Sequence, residues 1–164
     1  MSRKKPRLIK GGVAVDDRGI VTFCNEFNLQ ECGIKRFYTL QNHRRGFVRA
    51  WHGHIKEAKY ITVLSGVAVV GATPLDTLAR LCGAMDEPDP FLTYQYEREV
   101  CTFTLSSLKP SVLYIPPGYA NGHMNLVDNT IVMHFSTVSM DETKGDDVRF
   151  SWDTVPGVWE VEPR

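Results

Sequence analysis

The chain has 164 residues and a mass of 18.5 kDa, about the size of one domain. Its 19 Lys and Arg balance its 19 Asp and Glu, so it lacks the basic excess that drives binding to nucleic acids or anionic membranes. With 43% hydrophobic residues and no apolar run of signal-peptide or membrane-span length, the sequence excludes wholesale disorder and predicts a cytoplasmic globular protein.

Short strands dominate the predicted elements. Residues 1–10 are basic and are expected to form a flexible arm, and residues 75–81 have the pattern of one short helix, followed by a loop or hairpin over 82–96. Elsewhere, runs of β-branched and aromatic residues alternate with Gly, Pro, Asn and Asp. Closely spaced strands without a repeat or a boundary predict a single all-β domain over residues 1–164, as a sandwich, jelly roll or barrel. The predicted strands are 19–23, 47–51, 60–64, 67–70, 100–104, 111–115 and 130–135.

An ionisable cluster follows the second of these strands, in Gly46-Phe-Val-Arg49-Ala-Trp-His52-Gly-His54. Residues two apart on a strand share a face, so His52 and His54 are expected to point the same way. Arg49 is three residues from His52 and faces the opposite side unless a bulge re-aims it. Two converging histidines predict either a metal pair or a base with a helper.

Three further places carry candidate residues. Asn121 and His123 follow a rigid Pro-Pro-Gly turn, which is typical of a tight turn with polar side chains. His134 interrupts an apolar strand, which is typical of a satisfied core histidine unless the strand faces an active cavity. Asp153 follows Trp152, and a carboxylate there could orient an imidazole from behind or be an ordinary surface residue.

The order of these motifs resembles the two cupin motifs. The first comprises Gly46, His52-x-His54 and Glu57, and the second reads Pro117-Gly118-x-x-Asn121-x-x-x-Asn125. This resemblance implies a double-stranded β-helix, the cupin jelly roll.

Among cupins, the chain is most similar to the dTDP-4-dehydrorhamnose 3,5-epimerase family of nucleotide-sugar epimerases. The resemblance runs in order from about residue 13 to residue 160. The matching segments are Asp16-Asp-Arg18-Gly19, Gln41-Asn42-His43, Arg45-Gly46-Phe-Val-Arg49-Ala-Trp-His52, Lys59-Tyr-Ile, Ile115-Pro-Pro-Gly118-Tyr-Ala-Asn-Gly122 and Trp152-Asp153-Thr-Val-Pro-Gly157.

The resemblance implies a catalytic set. His52 matches the family's general base, Asp153 the carboxylate that hydrogen-bonds it, and Lys59 the lysine near the C4 oxygen of the sugar. The family's proton-returning tyrosine falls where this chain has Met133-His134-Phe135, so either His134 supplies that proton or the reaction is reduced. A hydrogen bond between His52 and Asp153 is the geometry on which this expectation depends.

The resemblance also implies a substrate-binding set. Arg49 is expected on the diphosphate of the nucleotide, together with an Arg18 offered by the partner subunit of a homodimer with exchanged N-terminal strands. The remaining residues expected to bind substrate are Gln41, Asn42, His54, Asn121 and His123.

These expectations define one hypothesis and three alternatives. The first is an epimerase without cofactor that removes protons at C3, C5 or both of an NDP-4-keto-6-deoxy sugar, in deoxysugar or cell-surface glycan biosynthesis. A sugar 3,4-ketoisomerase shares the pattern Arg-x-x-His-x-His, and a non-catalytic sugar-binding cupin is a further alternative. The last is a cupin that binds Fe, Mn or Zn through His52, His54, Glu57 and His123.

Overall fold

The computed structural model describes residues 4–84 and 99–161, which form twelve strands and one helix. The strands are β1 Arg7–Lys10, β2 Gly12–Asp16, β3 Gly19–Phe23, β4 Arg36–Gln41, β5 Val48–His54, β6 Lys59–Ser65, β7 Val67–Pro74, β8 Cys101–Ser106, β9 Ser111–Ile115, β10 Tyr119–Asn125, β11 Ile131–Ser136 and β12 Val148–Arg149. The helix, α1, spans Leu75–Ala84. No helix in these two ranges is long and apolar enough to cross a membrane.

Two five-stranded antiparallel sheets pack face to face. The first has the order β1-β9-β6-β11-β4 and the second the order β12-β5-β10-β7-β8. Buried apolar side chains from both sheets, among them Ile61, Val70, Leu113 and Val132, form the core between them. The predicted all-β fold is confirmed.

The outer face of the second sheet carries α1 and the C-terminal segment. Trp51, Leu78 and Trp159 pack there in a second buried cluster. Gly71 makes this packing possible, because a Cβ at that position would lie 2.8 Å from the Trp51 ring and 3.0 Å from the Trp159 ring.

All seven predicted strands are present, but the sequence pattern misses five others. β10 was expected as a polar turn, yet it is completely buried between β5 and β7. Its Gly122 lies where a Cβ would come within 2.3 Å of Ala50 on β5, so the strand packs through small residues instead of an alternating apolar pattern. Residues 7–10, expected within the flexible arm, form β1 and pair with β9. Most of the expected loop over 82–96 lies outside the described residues.

The hairpin β2–β3 forms a separate two-stranded sheet, and none of the other described strands pairs with it. Val15 and Ile20 are paired on one face and are 71% and 69% exposed, and Val21 on the other face is 62% exposed. A two-stranded ribbon with apolar side chains on both faces has little independent stability in water.

Candidate active site

A cavity of about 450 Å³ opens between the two sheets. One wall belongs to the second sheet, where β5 contributes Arg49, His52 and His54 and β10 contributes Asn121 and His123. Asn121 pairs with His52 and His123 pairs with Arg49, so β5 has one more residue than β10 between these pairs. This bulge brings Arg49 to the same cavity as the two histidines, as the sequence allowed.

The opposite wall belongs to the first sheet. Tyr38 on β4 and His134 on β11 are cross-strand partners, and their rings stack with centroids 5.0 Å apart and planes 10° apart. Lys59 on β6 donates a hydrogen bond from Nζ to the Tyr38 hydroxyl at 2.9 Å. Tyr38 was not among the predicted site residues, because the sequence pattern missed β4 and no sequence signal placed Tyr38 beside His134.

The carboxylate beside His52 is Asp147, and the expected pairing with Asp153 is wrong. Asp147 Oδ1 lies 3.7 Å from His52 Nδ1, and Arg149 Nε donates to Asp147 Oδ2 at 2.8 Å. Asp153 is exposed and accepts a hydrogen bond from the hydroxyl of Ser151. Asp147 lies beside His52 because β12 pairs with β5, with Arg149 opposite His52. This pairing brings Asp147, the residue just before β12, close to the histidine.

His54 is held more tightly than His52. Its Nδ1 lies 2.9 Å from the main-chain oxygen of Asp146 and 3.2 Å from Glu57 Oε2, and both atoms are acceptors. Burial lowers the pKa of His54 below its ordinary value, and the charge of Lys59 adds to this effect. His54 is therefore a neutral ring at pH 7 with its proton on Nδ1, which leaves Nε2 with a lone pair.

Burial also lowers the pKa of His52, against the opposing charge of Asp147. Both β5 histidines can therefore accept a proton near neutral pH.

Glu57 is a fully buried carboxylate surrounded by cations. Lys59 Nζ lies 2.8 Å and Arg36 Nη2 3.4 Å from Glu57 Oε1. The carboxylate thus fixes the ammonium of Lys59, which in turn contacts Tyr38. Within residues 4–84 and 99–161, no three His, Cys, Asp or Glu side chains are arranged to hold a metal ion, so the metal set expected from His52, His54, Glu57 and His123 is not assembled.

His123 and His134 lie deeper in the cavity. Burial lowers the pKa of His123 to about 4, and it also lowers the pKa of the completely buried His134 well below its ordinary value. Among the described residues, none is a hydrogen-bond partner for His123 Nε2 or for either ring nitrogen of His134. At neutral pH both rings are therefore uncharged, which makes His134 a poor donor for the proton that the sequence assigned to it.

The remaining predicted residues have varied positions. The Asn42 amide donates to the main-chain oxygen of Phe47 at 2.8 Å and accepts from Arg49 Nε at 2.9 Å, so it orients Arg49 rather than facing the cavity. The Asn121 amide donates to the main-chain oxygen of His52 at 3.1 Å. Gln41 is exposed at the end of β4. Arg18 lies in the β2–β3 hairpin, paired with Asp16, and does not line this chain's cavity.

Comparison with known proteins identifies the fold. No protein-family model matches the chain, and no curated protein matches it. A dTDP-4-dehydrorhamnose 3,5-epimerase from Bacillus anthracis, solved with TDP and PPi bound, is similar with a TM-score of 0.68 and 22% identity, over 96% of this chain and 86% of that chain. The chain has the cupin jelly-roll fold.

Two further solved structures that are similar to this chain differ from each other in their activities. The 3'-monoepimerase ChmJ from Streptomyces bikiniensis, in complex with dTDP-quinovose, gives a TM-score of 0.67 at 13% identity, over 93% of this chain and 72% of that one. The 3,4-ketoisomerase QdtA from Thermoanaerobacterium thermosaccharolyticum, a double mutant in complex with TDP, gives 0.61 at 19% identity, over 91% and 90% of the two chains. At these identities the comparison establishes the fold that these proteins share.

Proposed function

We propose that this chain is a nucleotide-sugar epimerase that acts at C3, C5 or both on an NDP-4-keto-6-deoxy sugar, in deoxysugar or cell-surface glycan biosynthesis. One observation carries the proposal: two neutral histidines on one wall of a cavity face a paired lysine and tyrosine on the other wall. The reaction needs no hydrogen bond from the base to Asp153, because Asp147 Oδ1 lies beside Nδ1 of His52 and the main-chain oxygen of Asp146 lies beside Nδ1 of His54.

The first step removes a proton from the carbon beside the ketone. A lone pair on the Nε2 of His52 or His54 accepts the proton, and the electrons of the C–H bond form the C=C bond of an enolate. The negative charge develops on the C4 oxygen, where the Lys59 ammonium stabilises it. Glu57 and Tyr38 already hold that ammonium at 2.8 Å and 2.9 Å, so it does not have to reorganise during the reaction.

The second step returns a proton to the opposite face of the sugar. Tyr38 belongs to the wall opposite His52, and its hydroxyl donates the proton as the ketone re-forms with the carbon inverted. Lys59 stabilises the phenolate that remains, and the imidazolium and phenolate then exchange protons with water. Only protons move, so the proposal includes no metal or redox cofactor.

The nucleotide part of the substrate would be held at the rim. Arg49 is fixed through Nε by Asn42, and its terminal nitrogens have no protein partner among the described residues. A guanidinium in this position suits the bidentate binding of a diphosphate.

The proposal includes a cytoplasmic homodimer in which the β2–β3 hairpin packs on the partner. The apolar residues Val15, Ile20 and Val21 need such a covering surface, and Arg18 at the same hairpin would then reach the partner's cavity. Sedimentation should show a dimer for the wild type. Mixed dimers of Arg18→Ala and His52→Ala chains should regain activity at one intact site if Arg18 acts in the partner subunit; no recovery would contradict this exchange.

Proton exchange tests the reaction. The chain is incubated in D₂O with TDP-4-keto-6-deoxyglucose, and the sugar is followed by NMR. Deuterium at C3 or C5 with the ketone retained at C4 supports the epimerase. A failure of the wild type to exchange any proton, although it binds the nucleotide sugar, would instead favour a sugar-binding cupin.

A 3,4-ketoisomerase is the second candidate. His52 and His54 project from the same strand, so two bases lie on one wall, and Asp153 and Arg18, which favoured the epimerase in the sequence, are absent from this chain's cavity. Movement of the ketone from C4 to C3 in the same experiment would favour this reaction over epimerisation.

A further inference from the structure

The segment just before β12 reaches the His54 side of the cavity from a distant part of the chain. Asp146 is 92 residues from His54 in sequence, and its side chain is buried. Gly145 precedes it with φ of +81°, a conformation that allows the chain to turn into the site. Neither residue belongs to a motif that the sequence analysis singled out.

The carboxylate of Asp146 binds the turn that follows His54. Its Oδ1 accepts from the main-chain N–H of Ile55 at 2.8 Å, and its Oδ2 accepts from Lys56 at 3.0 Å and from Glu57 at 3.3 Å. Three donors on one buried carboxylate are charge-assisted hydrogen bonds and hold the turn rigidly. The main-chain oxygen of the same residue accepts from His54 Nδ1.

We propose that Asp146 is a positioning residue that holds His54 as the Nδ1–H tautomer with Nε2 directed to the cavity, where it accepts the substrate proton. The carboxylate fixes the backbone on which His54 and Glu57 lie, and the carbonyl fixes the ring. The catalytic part of this inference rests on the function proposed above, whereas the tautomer does not.

The tautomer can be measured without substrate. In long-range ¹H–¹⁵N spectra of the ¹⁵N-labelled chain, protonated and bare ring nitrogens resonate in different ranges, and the signals of His54 are assigned by their loss in His54→Gln. The wild type should show Nδ1 protonated and Nε2 bare near neutral pH. A proton on Nε2 in the wild type would overturn the proposal, whatever the variants do.

Asp146→Asn tests the carboxylate with little change in shape. The asparagine would place its NH₂ group where Oδ2 now accepts hydrogen bonds from the main-chain N–H groups of Lys56 and Glu57. Because NH₂ cannot accept these bonds, the turn should shift. We expect mixed tautomers at His54 and a kcat lower by roughly tenfold, with KM nearly unchanged. The matched control is Asp141→Asn in the same loop, whose exposed side chain pairs with Lys144; it should behave as the wild type.

A double-mutant cycle separates positioning from general structural support. If Asp146 acts through His54, adding Asp146→Asn to His54→Gln should lower the residual rate less than twofold. A further tenfold loss in that background would show that Asp146 supports the fold independently of His54 and would overturn the proposal. If the wild type exchanges no proton of any nucleotide 4-keto sugar, the proposed function fails, and the tautomer measurement still decides the role of Asp146.

Discussion

His54 and His134 are both buried beside the same cavity, but their ring nitrogens have opposite environments. His54 Nδ1 faces the main-chain oxygen of Asp146 at 2.9 Å, and the turn after it is tied to the Asp146 carboxylate. His134 has no hydrogen bond to either nitrogen and is held by its stack on Tyr38. One ring therefore has a defined tautomer and an available lone pair, whereas the other is positioned only by its shape.

This difference separates a base from a supporting ring. A buried polar group without a partner costs about 1–3 kcal/mol. The His134 ring carries such a cost on the wall that holds Tyr38 and Lys59, and the stack keeps Tyr38 over the cavity. The proposed acid is therefore Tyr38, and the proposed bases are the two histidines of β5.

The largest expected effect follows removal of either base. His52→Ala and His54→Ala should each lower the rate of deuterium incorporation by about 10²–10⁴, the usual contribution of a positioned general base. The measurement is NMR of the sugar in D₂O under single-turnover conditions. A histidine whose replacement lowers the rate of deuterium incorporation less than threefold is not the base. If only one of the two replacements lowers the rate, the histidine at that position alone removes the proton.

Lys59→Met should have the next largest effect. The variant keeps the length of the side chain but removes the charge that stabilises the enolate, so kcat should fall by about 10²–10³. Lys56→Met is the matched control, because that side chain is exposed in the neighbouring turn. Equal decreases of kcat in Lys59→Met and Lys56→Met would contradict a role for the Lys59 charge in stabilising the enolate.

His123 should make stability depend on pH. Its pKa is about 4 in the folded chain and about 6.5 when unfolded. Between these values only the unfolded state binds the proton, so stability is complete above pH 6.5 and is lost as the pH falls toward 4. The contribution of His123 to this loss should reach about 3 kcal/mol, measured by urea unfolding as the change between pH 7 and pH 4 in the wild type minus the change in His123→Asn. His123→Asn should have a shallower pH dependence, and an unchanged slope would contradict this cause.

The sequence predicts the strands better than it predicts how they join. β6, β7 and β11 carry runs of β-branched residues, and the pattern indicates them directly. β10 has the sequence Tyr-Ala-Asn-Gly-His-Met-Asn, in which polar and small residues conceal a central strand. Its burial follows from close packing against β5 and β7, which no local pattern contains.

The same limit applies to the site. The spacing of His52 and His54 predicts that they share a face, and the structure agrees. Asp146 and Asp147 follow Lys144 and Gly145, which by composition indicate an exposed turn. Their role depends on the pairing of β12 with β5, a contact between distant parts of the chain.

Asp147, which lies beside His52 in the structure, and Asp153, which the resemblance implied in that place, should differ in effect. Asp147→Asn removes the charge 3.7 Å from His52 Nδ1, so the histidine should be a weaker base and kcat should fall about tenfold. Asp153→Asn should change kcat less than twofold, because the exposed side chain contacts Ser151. Initial rates of deuterium exchange measure both effects. A larger decrease of kcat in Asp153→Asn than in Asp147→Asn would indicate that Asp153 is the partner of the base.

The smallest expected effect is that of His134→Phe, and it is expected to stabilise the fold. Phenylalanine keeps a flat ring against Tyr38 and removes two buried nitrogens that have no partner, so the free energy of unfolding should rise by about 1 kcal/mol. Exchange should stay within about threefold of the wild type, because the proton comes from Tyr38. A loss of exchange of about 10²-fold or more, with the fold intact by circular dichroism, would instead make His134 the proton donor.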